Sequence, residues 1–60
     1  MDSYRRYYCD HRGNVFYADK IEALSEEEAV RASMDELERI KDVASIEIWL
    51  IGRRLKIIRR

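Results

Sequence analysis

Two kinds of spacing divide this chain. Tyr4 to Cys9 and Val15 to Ala18 are short runs rich in aromatic and β-branched residues, which read as strands. Between Ser25 and Asp42 the spacing changes. Ala29, Val30, Ser33, Met34, Leu37 and Ile40 recur at i, i+3 and i+4, one apolar stripe of a helix. Strand character returns at Ile46–Ile51 and Leu55–Ile58. The start of the helix is the sharpest boundary. Ser25 supplies an N-cap hydroxyl, Glu28 stands at N3 to complete a capping box, and Glu26, Glu27 and Glu28 set negative charge on the positive end of the helix dipole. No glycine closes the helix, so its end is expected near Asp42. Glu27 with Arg31 and Asp35 with Arg39 form acid-before-base pairs at i, i+4 on the outer face, and Met34 reads as core filler.

The connections follow from two glycines. Asp10-His11-Arg12-Gly13-Asn14 is a turn in which Gly13 takes the positive φ that closes a short hairpin with a bulge. Gly52 separates the last two strands. An isoleucine in a type I′ turn would be strained, so a type I turn followed by Gly52 in the left-handed region is expected. Phe16 and Ala18 fall on one parity and Ile21 and Ala23 on the other, which predicts a bulge near Asp19-Lys20.

The order is thus β-β-α-β-β, an α+β fold. It is a four-stranded antiparallel sheet with one helix packed on one face, in a single domain over residues 1–60. One helix leaves the other face open. Parity assigns Tyr4, Tyr8, Phe16, Ala18, Ile21, Ile46, Ile48, Leu55 and Ile57 to the helix side. It assigns Arg5, Tyr7, Cys9, Val15, Tyr17, Glu47, Trp49, Arg54, Lys56 and Ile58 to the open side. Arg6 then lands on the buried side, which predicts an edge position with its stem packed and its head in water.

Composition narrows the class. Sixty residues bury a small core. One cysteine forms no internal disulfide, and no ligand set for a metal stands out. Stability then has to come from well-fitted packing or from a second copy. Apolar runs do not exceed four residues, which predicts no membrane span. The opening Met-Asp-Ser-Tyr-Arg-Arg has no apolar stretch behind it, so no signal peptide is expected, and a single free thiol fits a reducing cytoplasm. The formal net charge is zero but segregated. Asn14 to Asp42 holds nine acids and four bases, and Val43 to Arg60 holds five bases and one acid.

Three segments carry a resemblance. Tyr-Arg-x-Tyr-Tyr-x-Asp-x-x-Gly at Tyr4–Gly13, Ser-x-Glu-Glu-Ala at Ser25–Ala29 and Ile-Glu-Ile-Trp-x-x-Gly-Arg-Arg-Leu at Ile46–Leu55 resemble a set of short bacterial proteins of unknown function. Arg6 stands where those proteins usually have leucine. The resemblance spans nearly the whole chain. It implies a small α+β domain and no particular activity.

Candidate chemistry is sparse. Cys9 and His11 share a face at i, i+2, but one thiol and one imidazole make neither a zinc site nor an activated nucleophile by themselves. Glu26, Glu27 and Glu28 point about 100° apart and do not converge, so they read as cap and dipole partners. Glycine-rich phosphate loops and hydrolase or metalloprotease motifs are absent. No enzyme, cofactor or small-molecule substrate is expected. The set that stands out is Tyr7, Tyr17 and Trp49 with Arg53, Arg54 and Lys56 on the open face, extended by Arg59 and Arg60. Aromatics with arginine describe a homo-oligomer interface, most simply a dimer. The same residues describe a platform for single-stranded RNA or DNA, an alternative weakened by the zero net charge. A third idea is a small regulatory partner whose acidic helix docks on a basic protein.

Overall fold

The computed structural model describes all 60 residues. The elements are β1 (Asp2–Cys9), β2 (Val15–Ala23), α1 (Glu26–Arg39), β3 (Ser45–Leu50) and β4 (Arg53–Arg59). The strands form one antiparallel sheet in the order β2-β1-β3-β4, with α1 against one face, the ββαββ architecture expected. Two local hairpins supply the outer pairs. The helical connection from β2 to β3 places β3 on the far side of β1.

The helix begins at the expected Ser25 cap, but the returning glutamate bond reaches one residue further back, to Leu24 rather than to the cap itself. Ser25 Oγ accepts the Glu28 N–H at 3.2 Å, and Glu28 Oε1 accepts the Leu24 N–H at 3.3 Å. It ends earlier than expected, at Arg39. Ile40 is extended, and its N–H reaches Glu36 O. The released carbonyls of Leu37 and Ile40 accept from the Arg60 guanidinium, whose Nε also donates to Val43 O at 3.1 Å. An arginine from the far end of the chain replaces the missing glycine as a C-cap. On the outer face Arg39 pairs with Glu36 at 2.6 Å, not with Asp35, and Glu27 and Arg31 form no ion pair.

Only Ala29, Ser33 and Leu37 of the helix stripe are fully buried; Val30 and Ile40 are partly so. Small residues at the contact bring α1 close to the sheet. Tyr4, Tyr8, Ile46, Ile48 and Ile58 meet it from below, and Val43 closes one end. Met34 is not core filler. It is 55% exposed, at the margin beside β4.

The first hairpin turns as predicted, with Gly13 at φ 85° and the Asp10 carboxylate accepting the N–H groups of Arg12 and Asn14 at 2.9 Å each. The second does not. Ile51 and Gly52 are the only residues between β3 and β4, at φ 48° and 73°, so the turn has two positive-φ residues as a type I′ turn does. The twist of a two-residue hairpin demands this, and it overrides the preference of isoleucine.

Two parity assignments are corrected. In β2 the helix side carries Tyr17, Asp19, Ile21 and Ala23, opposite Tyr8, Arg6, Tyr4 and Asp2, while Ala18 faces away beside Tyr7. Alternation is unbroken at Asp19-Lys20. The bulge lies instead where the register shifts between Tyr8 and Cys9, which makes Phe16 the extra residue. In β4 a second irregularity at Leu55 puts Lys56 opposite Ile48 and Ile58 opposite Ile46 on the helix side, with Ile57 outside opposite Glu47. Arg6 lies at no edge: β1 is an inner strand, and Arg6 is 5% exposed.

Candidate functional site: the uncovered sheet face

Register assembles the open face into rows that cross all four strands. Arg5 lies opposite Lys20 on β2 and Trp49 on β3, and Trp49 lies opposite Arg54 on β4. The next row is Ala18, Tyr7, Glu47 and Ile57. The third is Val15, Cys9, Ser45 and Arg59, with Phe16 added by the bulge. Adjacent strands are about 4.8 Å apart, so members of a row touch.

Trp49 is on this face as expected, diagonal to Tyr7. Their rings meet edge to face, centroids 5.8 Å apart and planes at 87°. Glu47 sits at the centre. Its Oε1 accepts the Trp49 Nε1–H at 3.0 Å; its Oε2 lies 4.0 Å from Arg54 Nη1 and accepts from the Cys9 thiol at 4.0 Å. The one central acid is therefore already engaged; three bases, Arg5, Arg54 and Arg59, lie diagonal to it on the neighbouring strands, and Lys20 lies one strand further out. Cys9 itself is buried, and nowhere do three or more His, Cys, Asp or Glu side chains gather as a metal site would need.

Of the six residues predicted for this face, Tyr7, Trp49 and Arg54 come together. Tyr17 lies on the helix side, its ring 5.3 Å from that of Tyr8 and 56% exposed because α1 does not reach over it. Lys56 also lies on the helix side, and Arg53 is opposite Leu50 at the turn. Arg5 is legible from its parity with Tyr7. Lys20 and Phe16 are hidden by the misplaced bulge.

The covered face holds the other polar cluster. Arg6 donates to Asp19 through Nε (2.9 Å) and Nη2 (2.8 Å), and to Ser33 Oγ through Nη1 (3.3 Å). Its guanidinium lies 5.4 Å from the centre of the Tyr8 ring, whose hydroxyl donates to Asp19 at 3.2 Å. Ser33 Oγ donates its own proton to Ala29 O at 2.8 Å. No buried side-chain polar atom is left without a partner. This cluster is a structural clasp between β1, β2 and α1.

Burial pushes the Tyr8 hydroxyl up to about 12, against the opposing pull of Arg6 and with help from Asp19. Tyr4 is also raised, by burial and then by Asp2, Glu26 and Glu28. Both are acids held neutral by the fold, so the unfolded chain loses their protons first as pH rises. Their contribution is complete below the ordinary tyrosine value of about 10 and is lost as pH rises through their raised values, about 12 for Tyr8. Unfolding followed by circular dichroism should coincide with tyrosinate absorbance, and Tyr8→Phe should flatten the alkaline slope. An unchanged slope in Tyr8→Phe would assign the effect elsewhere.

No family model, curated protein or solved structure matches the chain. No helix is long and apolar enough to cross a membrane.

Proposed function

We propose that this chain is a non-catalytic interaction module that pairs with a second copy through its uncovered sheet face. The observation that carries the reading is the edge-to-face Tyr7–Trp49 pair at the middle of a face no element covers, with the acid beside it already engaged by Trp49 and Arg54. Apolar Ala18 and Ile57 flank the pair and arginines ring it, the anatomy of a protein interface. The two longer dimensions of the molecule are 31 and 22 Å, so two such faces would bury on the order of 1,200 Å² in total, the lower end of stable interfaces. A 60-residue chain with no disulfide gains stability from such pairing by mass action.

Ile51 adds support. It is 92% exposed, borders the same depression as Arg5, Tyr7 and Trp49, and holds a backbone conformation that disfavours β-branched side chains. Ile51→Asn should stabilise the monomeric fold by about 1 kcal/mol, because asparagine suits positive φ. The same change should weaken association, because it removes an apolar contact at the rim. Thermal melts and sedimentation would read the two effects separately, and association strengthened by asparagine would count against a role for Ile51.

The row Lys20, Arg5, Trp49 and Arg54 supports a second reading, a single-stranded nucleic-acid platform. Against it, Tyr7 and Trp49 stand nearly perpendicular and half-buried rather than as parallel open platforms, and the acid Glu47 lies beside both. Light scattering across a concentration series decides. A dimer with salt-insensitive mass and no oligonucleotide binding supports the module. A monomer at high concentration overturns it, and oligonucleotide binding that falls steeply with salt supports the alternative.

A further inference from the structure

We infer that the free edge of β4, with the groove beside it, takes an extended peptide strand in which acidic and aliphatic residues alternate. β4 is one of the two edge strands, so one row of its backbone N–H and C=O groups has no partner within the sheet. Its two faces differ in chemistry. On the helix side Ile58 forms, with Val30, Met34 and Leu37 of α1, the wall of an apolar groove of about 610 Å³. On the other side Arg54 and Arg59 flank Ile57. A strand added to this edge repeats the alternation: its inward residues enter the groove beside Met34, and its outward residues meet the two arginines. Lys56 stands at the groove's border, and Glu38 is the only acid lining it.

Charge selects the occupant. A second copy of β4 would set Arg53, Arg54, Lys56 and Arg59 against their own equivalents, and like charges across a strand pair are destabilising. β2 of another copy presents Asp19, already bound by Arg6, and a lysine beside its one other acid, Glu22. That contact would also be head-to-tail, an arrangement that builds rings or open filaments rather than a symmetric pair. β2 itself has no comparable groove, since it contributes only Lys20 to any surface depression. A partner strand carrying carboxylates on one face satisfies both halves of the β4 surface. The outward side of this edge, Arg54, Ile57 and Arg59, borders the face assigned to self-association; the groove beside Met34 lies on the opposite side of the sheet, and the inference does not depend on that reading.

The test is fluorescence anisotropy with a labelled synthetic peptide of alternating glutamate and valine. Three other probes accompany it: a lysine–valine peptide, the glutamate–valine peptide N-methylated on the edge that would face β4, and a single-stranded oligothymidylate of equal charge. The acidic peptide should bind at low salt. Affinity should fall about tenfold or more on N-methylation, and by a similar factor in Arg59→Glu and in Met34→Glu, all far above measurement error. The lysine peptide should not bind, and the uncharged change Trp49→Ala should leave peptide affinity unchanged whatever it does to the oligomer. Absence of binding, equal binding of the N-methylated peptide, or oligothymidylate bound as tightly as the peptide would each overturn the inference. So would loss of peptide binding in Trp49→Ala, which would move the site to the open face.

Discussion

Asp19→Ala should bring this domain to the edge of unfolding. Arg6 lies 5% exposed beneath α1, and Asp19 accepts two of its hydrogen bonds and balances its charge. Alanine would leave a buried guanidinium over the Tyr8 ring with one remaining hydrogen bond, the 3.3 Å contact to Ser33. Breaking one side of a buried pair costs about 3 to 5 kcal/mol; the partial exposure of Asp19 argues for the lower end. A domain of this length has a total stability of roughly 3 to 9 kcal/mol, so the loss takes a large share. Adding Arg6→Leu to Asp19→Ala should recover most of it, because an apolar side chain at that position strands no charge. Urea titrations at fixed protein concentration would measure both. A loss below about 1 kcal/mol in Asp19→Ala would mean that the pair behaves as a surface salt bridge.

Trp49→Glu should dissociate the dimer proposed above. The indole is the largest side chain on the open face. Its ring holds Tyr7 edge to face, and its N–H occupies Glu47. Glutamate there removes both contacts and sets two carboxylates side by side at the centre of each face, four across a pair. A central aromatic is worth about 2 to 4 kcal/mol of association, so the dissociation constant should rise at least roughly thirtyfold. Trp49 lies outside the core cluster, so the monomer should keep its circular dichroism spectrum. Sedimentation measures the change directly, and an unchanged mass at every concentration would remove this face from consideration.

The residues differ in how much of this they announce. Signals that act over a few positions are legible: the Ser25 cap, the Gly13 turn, the type and order of every element. Trp49 and Tyr7 fall on the open face by parity because β1 and β3 alternate without interruption up to them. Longer-range features are not legible. Local reasoning sets Phe16 and Ala18 inward together with Ile21 and Ala23 and so expects a bulge at Asp19-Lys20, whereas Asp19 itself turns inward to meet Arg6 across the hairpin. Asking which acid could partner Arg6 would point to Asp19, which the hairpin register brings opposite. The irregularity at Leu55 reverses the face of Lys56 and Ile58 with no glycine to mark it. Arg60 ends the helix from 20 residues away, beyond any local rule.

The strand order has a consequence for how the chain reaches this state. Each hairpin can zip from its own turn. The middle of the sheet, however, is the seam of β1 with β3, and it joins Cys9 to Ser45. That seam forms only after the intervening segment has closed a long loop, an entropic cost that local contacts cannot lower. Mutations along Arg6–Ile48 and Tyr8–Ile46 should therefore govern the speed of folding, while changes confined to either turn tip leave it nearly untouched.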